Sequence, residues 1–79
     1  MTNKEKLIIK KLGYTTYVMY QYIKFHPTFH NKDMQWELGL SKESTYRSFN
    51  KLKKSNIIKI TGHSYHRNFS ILSESEWDV

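Results

Sequence analysis

Cysteine and alanine are missing from this sequence of 79 residues, and proline and glycine are scarce, at one and three. Without cysteine, no disulfide, thiolate zinc site or thiol nucleophile can form. No apolar run approaches the ~18 residues of a membrane-spanning helix, and the opening stretch Met1 to Glu5 is polar, so the sequence predicts a soluble, cytoplasmic protein. A single domain is expected, near the lower limit for unaided folding and too small for a deep substrate cavity. Its core volume must come from large side chains. At 15% of the chain the aromatics supply it, Tyr17, Tyr22, Phe25, Phe29, Phe49 and Phe69 among them.

Acidic charge is also sparse, with Asp and Glu numbering 7 against 13 Lys and Arg. The excess is uneven. Residues 13–40 balance Lys24 and Lys32 against Asp33 and Glu37, whereas residues 41–54 set Lys42, Arg47, Lys51, Lys53 and Lys54 against Glu43 alone. Lys59 and Arg67 follow, and the acids Glu74, Glu76 and Asp78 gather in the tail. A basic segment of this kind is an electrostatic footprint for phosphate.

Periodicity divides the chain into an α+β succession. Leu7, Ile8 and Leu12 fit one or two helical turns ending at Gly13. Thr15 or Thr16 is the expected cap of a second helix with Val18, Met19, Tyr22 and Ile23 inward, stopped by Pro27. A short third helix begins at His30 or Asn31 and ends at Gly39. Ser41 caps a fourth over Lys42 to Lys54, whose three-residue repeat of Tyr46, Phe49 and Leu52 predicts the buried stripe. Asn56 suits a left-handed C-cap. The β-branched run Ile57 to Thr61, bounded by Gly62, pairs with Asn68 to Leu72 as a hairpin. The acidic tail 73–79 is expected to be loose, leaving a core over about 15–72.

The stretch Leu38-Gly39-Leu40-Ser41 forces a sharp turn from a short helix into a longer, serine-capped one with a basic outer face. That is the layout of a helix-turn-helix, with the hairpin after it as a wing. The run His26-Pro27-Thr28-Phe29, Met34, Leu38-Gly39-Leu40-Ser41, Thr45-Tyr46-Arg47, Phe49, Leu52, Ile57-Ile58 resembles the core of winged helix-turn-helix DNA-binding proteins. It is most similar to MarR-type regulators and to related plasmid and phage proteins, over about residues 15–72. The lysine-rich, alanine-free composition fits AT-rich coding of the same origin. Departures are Gln35, where a small alanine is usual, Trp36, where a polar residue is usual, and Asn56 in place of glycine. The long flanking dimerisation helices of MarR-type regulators are missing. The resemblance implies a winged helix-turn-helix fold: a three-helix core, an N-terminal helical turn and a two-stranded hairpin wing. It further implies sequence-specific binding of double-stranded DNA, as a transcriptional regulator or, alternatively, as an excisionase or replication accessory factor of a mobile element.

A helical projection turns the side opposite Tyr46, Phe49 and Leu52 toward that DNA. Ser44 and Arg47 are candidates for base edges, and Glu43 for a cytosine amine. Lys42, Ser48, Lys51 and Lys54 complete the helix surface, the lysines on phosphate. In the hairpin loop, His63, Tyr65 and Arg67 are candidates for backbone or minor groove. Leu7, Ile8, Ile9 and Leu12 have no evident place in a three-helix core and are expected to face a second copy of the chain. Trp36 either seals the core or, with Trp77, marks a protein-binding patch. The histidines lack ligand spacing, so neither a metal nor any other cofactor is expected, and no nucleophile motif suggests an enzyme.

Overall fold

Thr2 starts the chain's first helix by a reciprocal cap: the Glu5 amide donates to its hydroxyl while its own N–H donates to the Glu5 carboxylate. In the computed structural model, which describes residues 1–26, 31–62 and 68–79, this helix is α1, Asn3–Leu7. It widens into one π-helical turn, Ile8–Leu12, closed by Gly13 at φ 103°. That backbone angle favours glycine. The turn then feeds α2, Tyr14–Phe25.

Gly13, not Thr15 or Thr16, occupies the N-cap of α2, because Thr16 is buried and its hydroxyl donates to the Leu12 carbonyl. The buried stripe of α2 is Thr16, Met19, Tyr20 and Ile23, an i, i+3, i+4, i+7 set. Val18 and Tyr22, expected inside, are only half-buried, and Phe25 is exposed with the Lys24 ammonium 5.8 Å from its ring centre. The expected contribution of Phe29 lies outside the described residues, as does Pro27.

Helix α3, Asn31–Leu38, runs to Gly39, and Leu40 leads to α4, Lys42–Lys54, with the Ser44 amide donating to the Ser41 hydroxyl. Both ends of α4 fall where the sequence places them. Gly39 at φ 65° and Asn56 at φ 56° take left-handed conformations that turn the chain. The strands are β1, Ile58–Thr61, and β2, Asn68–Ile71, antiparallel with Ile58 opposite Ile71 and Ile60 opposite Phe69. Ile58 and Phe69 face inward, Lys59 and Ser70 outward. The architecture is thus α+β, four helices and a two-stranded antiparallel sheet among the described residues. No helix among them is long and apolar enough to cross a membrane.

The core extends beyond the span 15–72 at both ends. Ile8 is fully buried and Leu12 packs against the same cluster. The expectation that Leu7, Ile8, Ile9 and Leu12 face a second copy is therefore corrected: the π-turn lays Ile8 and Leu12 against α2, with Leu7 and Ile9 half-buried. The tail is not loose either. It forms a 3₁₀ turn, Glu74–Glu76, and Trp77 inserts edge-on against Tyr20, with ring centres 5.5 Å apart. The Trp77 indole donates to the Leu72 carbonyl at 2.8 Å, and the Asp78 amide to the Ser55 carbonyl at 2.7 Å. A buried indole with a satisfied N–H is a core anchor, so Trp77 is unavailable to a partner protein.

A polar cluster joins these ends to α2. The buried Glu5 carboxylate accepts from the Thr2 amide, from the Tyr20 hydroxyl at 2.9 Å and from the Lys24 ammonium at 3.2 Å. The Thr2 bond foremost, then Tyr20 and Lys24, outweigh burial and hold Glu5 down at about 2, against its ordinary 4.5. Burial, with Glu5 alongside, pushes the Tyr20 phenol well above its usual range. The Thr2 hydroxyl and the Lys4 ammonium both donate to Glu74, so the chain's two ends close on one another.

Candidate nucleic-acid interface

Helix α4 is amphipathic, and its inner stripe is Thr45, Ser48, Phe49 and Leu52. These positions obey the 3–4–7 spacing of a helix that buries one side. The inner face packs on α2, and the Phe49 ring stacks on Phe69 of β2 at 5.4 Å. Thr45 turns its hydroxyl back to the Ser41 carbonyl at 2.8 Å, which satisfies a polar group inside.

Two sequence assignments on α4 are corrected by this stripe. Ser48, a candidate for DNA, is 4% exposed and cannot reach a ligand. Tyr46, a candidate for the core, is 64% exposed. The cause is the repeat itself: positions three apart drift by about 60° per step, so Tyr46 lies past the edge that Phe49 defines. Thr45 and Ser48 take the interior instead, as small residues beneath α2.

The outer surface of α4 carries Lys42, Glu43, Arg47, Asn50, Lys51, Lys53 and Lys54, all exposed. Ser44 is half-buried beside its cap. Arg47 and Glu43, four residues apart, form no ion pair; among the described residues the Lys24–Glu5 contact alone meets that distance. The guanidinium is therefore free to engage a ligand. Lys51 is not wholly free, since its ammonium donates to the Leu12 carbonyl at 3.1 Å. Lys53 and Lys54 stand in the last turn, where the helix dipole also favours cations. Glu43 sits in the first turn, where it favours acids. The hairpin candidates His63, Tyr65 and Arg67 lie outside the described residues.

Helix α3 presents a different surface. Met34 is fully buried and pins the helix to the core, while Trp36 is 85% exposed. Trp36 lines a shallow, open cavity of about 410 Å³ with Lys32, Gln35, Gly39 and Leu40. It does not seal the core. At the junction of α2 and α3, desolvation and the neighbouring Glu37 and Asp33 carboxylates raise the Tyr22 phenol. The His26 ring stacks on Tyr22 at 4.2 Å, with its Nδ1 3.1 Å from the Tyr22 carbonyl.

No protein-family model matches this chain, and no curated protein or solved structure is significantly similar to it.

Proposed function

We propose that the chain is a winged helix-turn-helix domain that binds double-stranded DNA, with α4 in the major groove, as a transcriptional regulator. The observation that carries the reading is the outer face of α4, where Lys42, Arg47, Lys51, Lys53 and Lys54 are exposed beside a single acid, Glu43. A helix of this diameter fits the major groove, and its cations displace counterions from phosphate. The tight turn at Gly39 and the Ser41 cap fix α4 relative to α3, as a groove-reading helix requires. Arg47 offers an unpaired fork for guanine, and Lys54, two turns later, a point charge for the backbone.

The test is anisotropy titration of a random-sequence duplex over a range of salt. If about five cations neutralise phosphates, log K against log salt falls with a slope near −4.5, about −0.9 per contact. A slope shallower than about −1.5 overturns the reading. Selection of preferred sites from random duplexes then tests sequence preference and half-site symmetry together.

A second reading is favoured by Trp36. An exposed indole beside an open cavity is a common centre of protein-binding surfaces. On this reading the partner is a protein, and the basic face of α4 is a solvated surface. Trp36→Ala that abolishes a complex stable at high salt, with duplex affinity unchanged, supports it.

A further inference from the structure

We propose that Tyr46 and Asn50 make α4 a reader of thymine within two base pairs of adenine, the tyrosine ring packing on the thymine C5-methyl and the asparagine amide pairing with adenine. This rests on the proposed DNA-binding function and adds to it the class of base sequence preferred.

Tyr46 is the largest apolar side chain exposed on α4, and among the described residues it makes no hydrogen bond and no ring contact. Its neighbours along the helix are Lys42 one turn before, Asn50 one turn after and Lys53 beyond, all exposed. At 100° per residue these side chains fall in a band about 80° wide, with Arg47 about 60° past Asn50. The band therefore alternates cation, ring, amide and cation. The flanking cations match a polyanion and anchor the ring against its surface. Of the groups that base pairs expose in the major groove, only the thymine methyl is apolar, so it is the natural partner of an aromatic ring there. Asn50 brings a donor and an acceptor, the pattern that adenine N7 and N6 complement in a bidentate pair. Positions four apart rise by about 6 Å along a helix, a little under two base-pair steps of about 3.4 Å. Tyr46 and Asn50 thus address base pairs within two steps of each other.

The experiment uses anisotropy titration of the full chain and of Tyr46→Ala and Tyr46→Phe against duplexes of about 20 base pairs, two helical turns. The probes are alternating dA·dT, the same duplex with deoxyuridine for thymidine, the same with 7-deaza-deoxyadenosine for deoxyadenosine, and alternating dG·dC. Uracil removes only the methyl and keeps the hydrogen-bonding edge. The expected result is a loss of about fourfold for each methyl covered when thymine becomes uracil. Tyr46→Phe keeps that discrimination, whereas Tyr46→Ala binds both duplexes equally. The deaza duplex binds more weakly than its parent to the full chain and equally to Asn50→Ala. Tyr46→Ala should fold normally, since the side chain is 64% exposed and lies outside the core cluster. Salt-dependent binding that ignores the methyl, or discrimination that survives Tyr46→Ala, overturns this inference and leaves the DNA-binding reading standing. Absence of salt-dependent binding to every duplex overturns the proposed function and this inference with it.

Discussion

Replacing Glu5 with glutamine tests how the ends of the chain are held. The native carboxylate sits at about 2 against an ordinary 4.5, and the folded state therefore gains from its ionisation. At about 1.4 kcal/mol for each tenfold in proton affinity, the gap corresponds to about 3 kcal/mol at neutral pH. The Thr2 amide and Tyr20 hydroxyl supply most of this. The Lys24 side chain is 43% exposed, so water screens its share to under about 1 kcal/mol. Because the folded value is lowered, the stabilisation is complete above about pH 5 and fades as pH falls from 4.5 toward 2. Glu5→Gln mimics the protonated form with nearly the same shape. It should lose about 3 kcal/mol at pH 7, a large fraction of a small domain's stability, and only a few tenths at pH 2. Urea unfolding at several pH values measures this, with fluorescence of the buried Trp77 as the signal and the exposed Trp36 as background. A deficit of equal size at pH 7 and pH 3 would refute the reasoning, because it would locate the damage in packing and not in charge.

Other outcomes follow from the same packing. Ile8→Ala should cost about 2–5 kcal/mol with an unfolding midpoint independent of protein concentration; a midpoint that moves with concentration would return Ile8 to a dimer interface. Phe49→Ala should cost about 3–5 kcal/mol while Tyr46→Ala costs under about 0.5, and equal losses would place both rings in the core. At high pH the raised Tyr20 phenol has the opposite sign to Glu5: its contribution is complete below about 10 and is lost above it, so Tyr20→Phe should unfold less steeply in alkali than the native chain. Arg47→Ala should weaken a selected site by about 1–3 kcal/mol and random duplex much less, whereas Lys54→Ala should weaken both alike and flatten the salt slope by about one; equal losses for Arg47→Ala would make it a phosphate contact.

What the sequence reveals depends on whether a signal is local. Ser41, Gly39 and Asn56 each answer a need within a few residues, and the ends of α4 lie where those residues predict. The hairpin is legible for the same reason, from the β-branched run before Gly62 and the partner stretch Asn68 to Leu72 after it. Burial within α4 is less legible, because Tyr46, Phe49 and Leu52 look like the apolar stripe while Thr45 and Ser48 look like surface. Hydrophobicity misleads there: Thr45 and Ser48 fall on the buried side by helical period, which outranks polarity once a hydroxyl such as that of Thr45 finds a backbone acceptor. The terminal clasp is the least legible part. Thr2, Glu5, Tyr20, Lys24, Glu74 and Trp77 meet across almost the whole chain, and neither periodicity nor capping rules encode such pairings. Thr2 and Glu5 alone carried a readable sign, the spacing of a capping box.

The placement of acids explains how a modest net charge becomes a directed one. The Glu5 carboxylate is engaged by Thr2, Tyr20 and Lys24, and the Glu74 carboxylate by the Thr2 hydroxyl, while Lys4 donates to the Glu74 main-chain carbonyl. Glu37 and Asp33 stand beside Tyr22 at the junction of α2 and α3. Glu5 and Glu74 so engaged hold the scaffold, and all four of these acids lie off α4. Only Glu43 remains there, at the one end of the helix where a carboxylate is favoured by the dipole. A uniform mixture of the same residues would surround each lysine of α4 with acids and cancel its field within a Debye length, about 8 Å at physiological salt. Here Glu5 and Glu74 join the two ends of the chain to α2 and to each other, and five cations stand together on α4. On the proposed DNA-binding reading, stability and ligand attraction draw largely on separate charges. For that reason, removing Glu5 should weaken the fold and leave the affinity of the surviving folded protein for DNA nearly unchanged, whereas removing Lys54 should do the reverse.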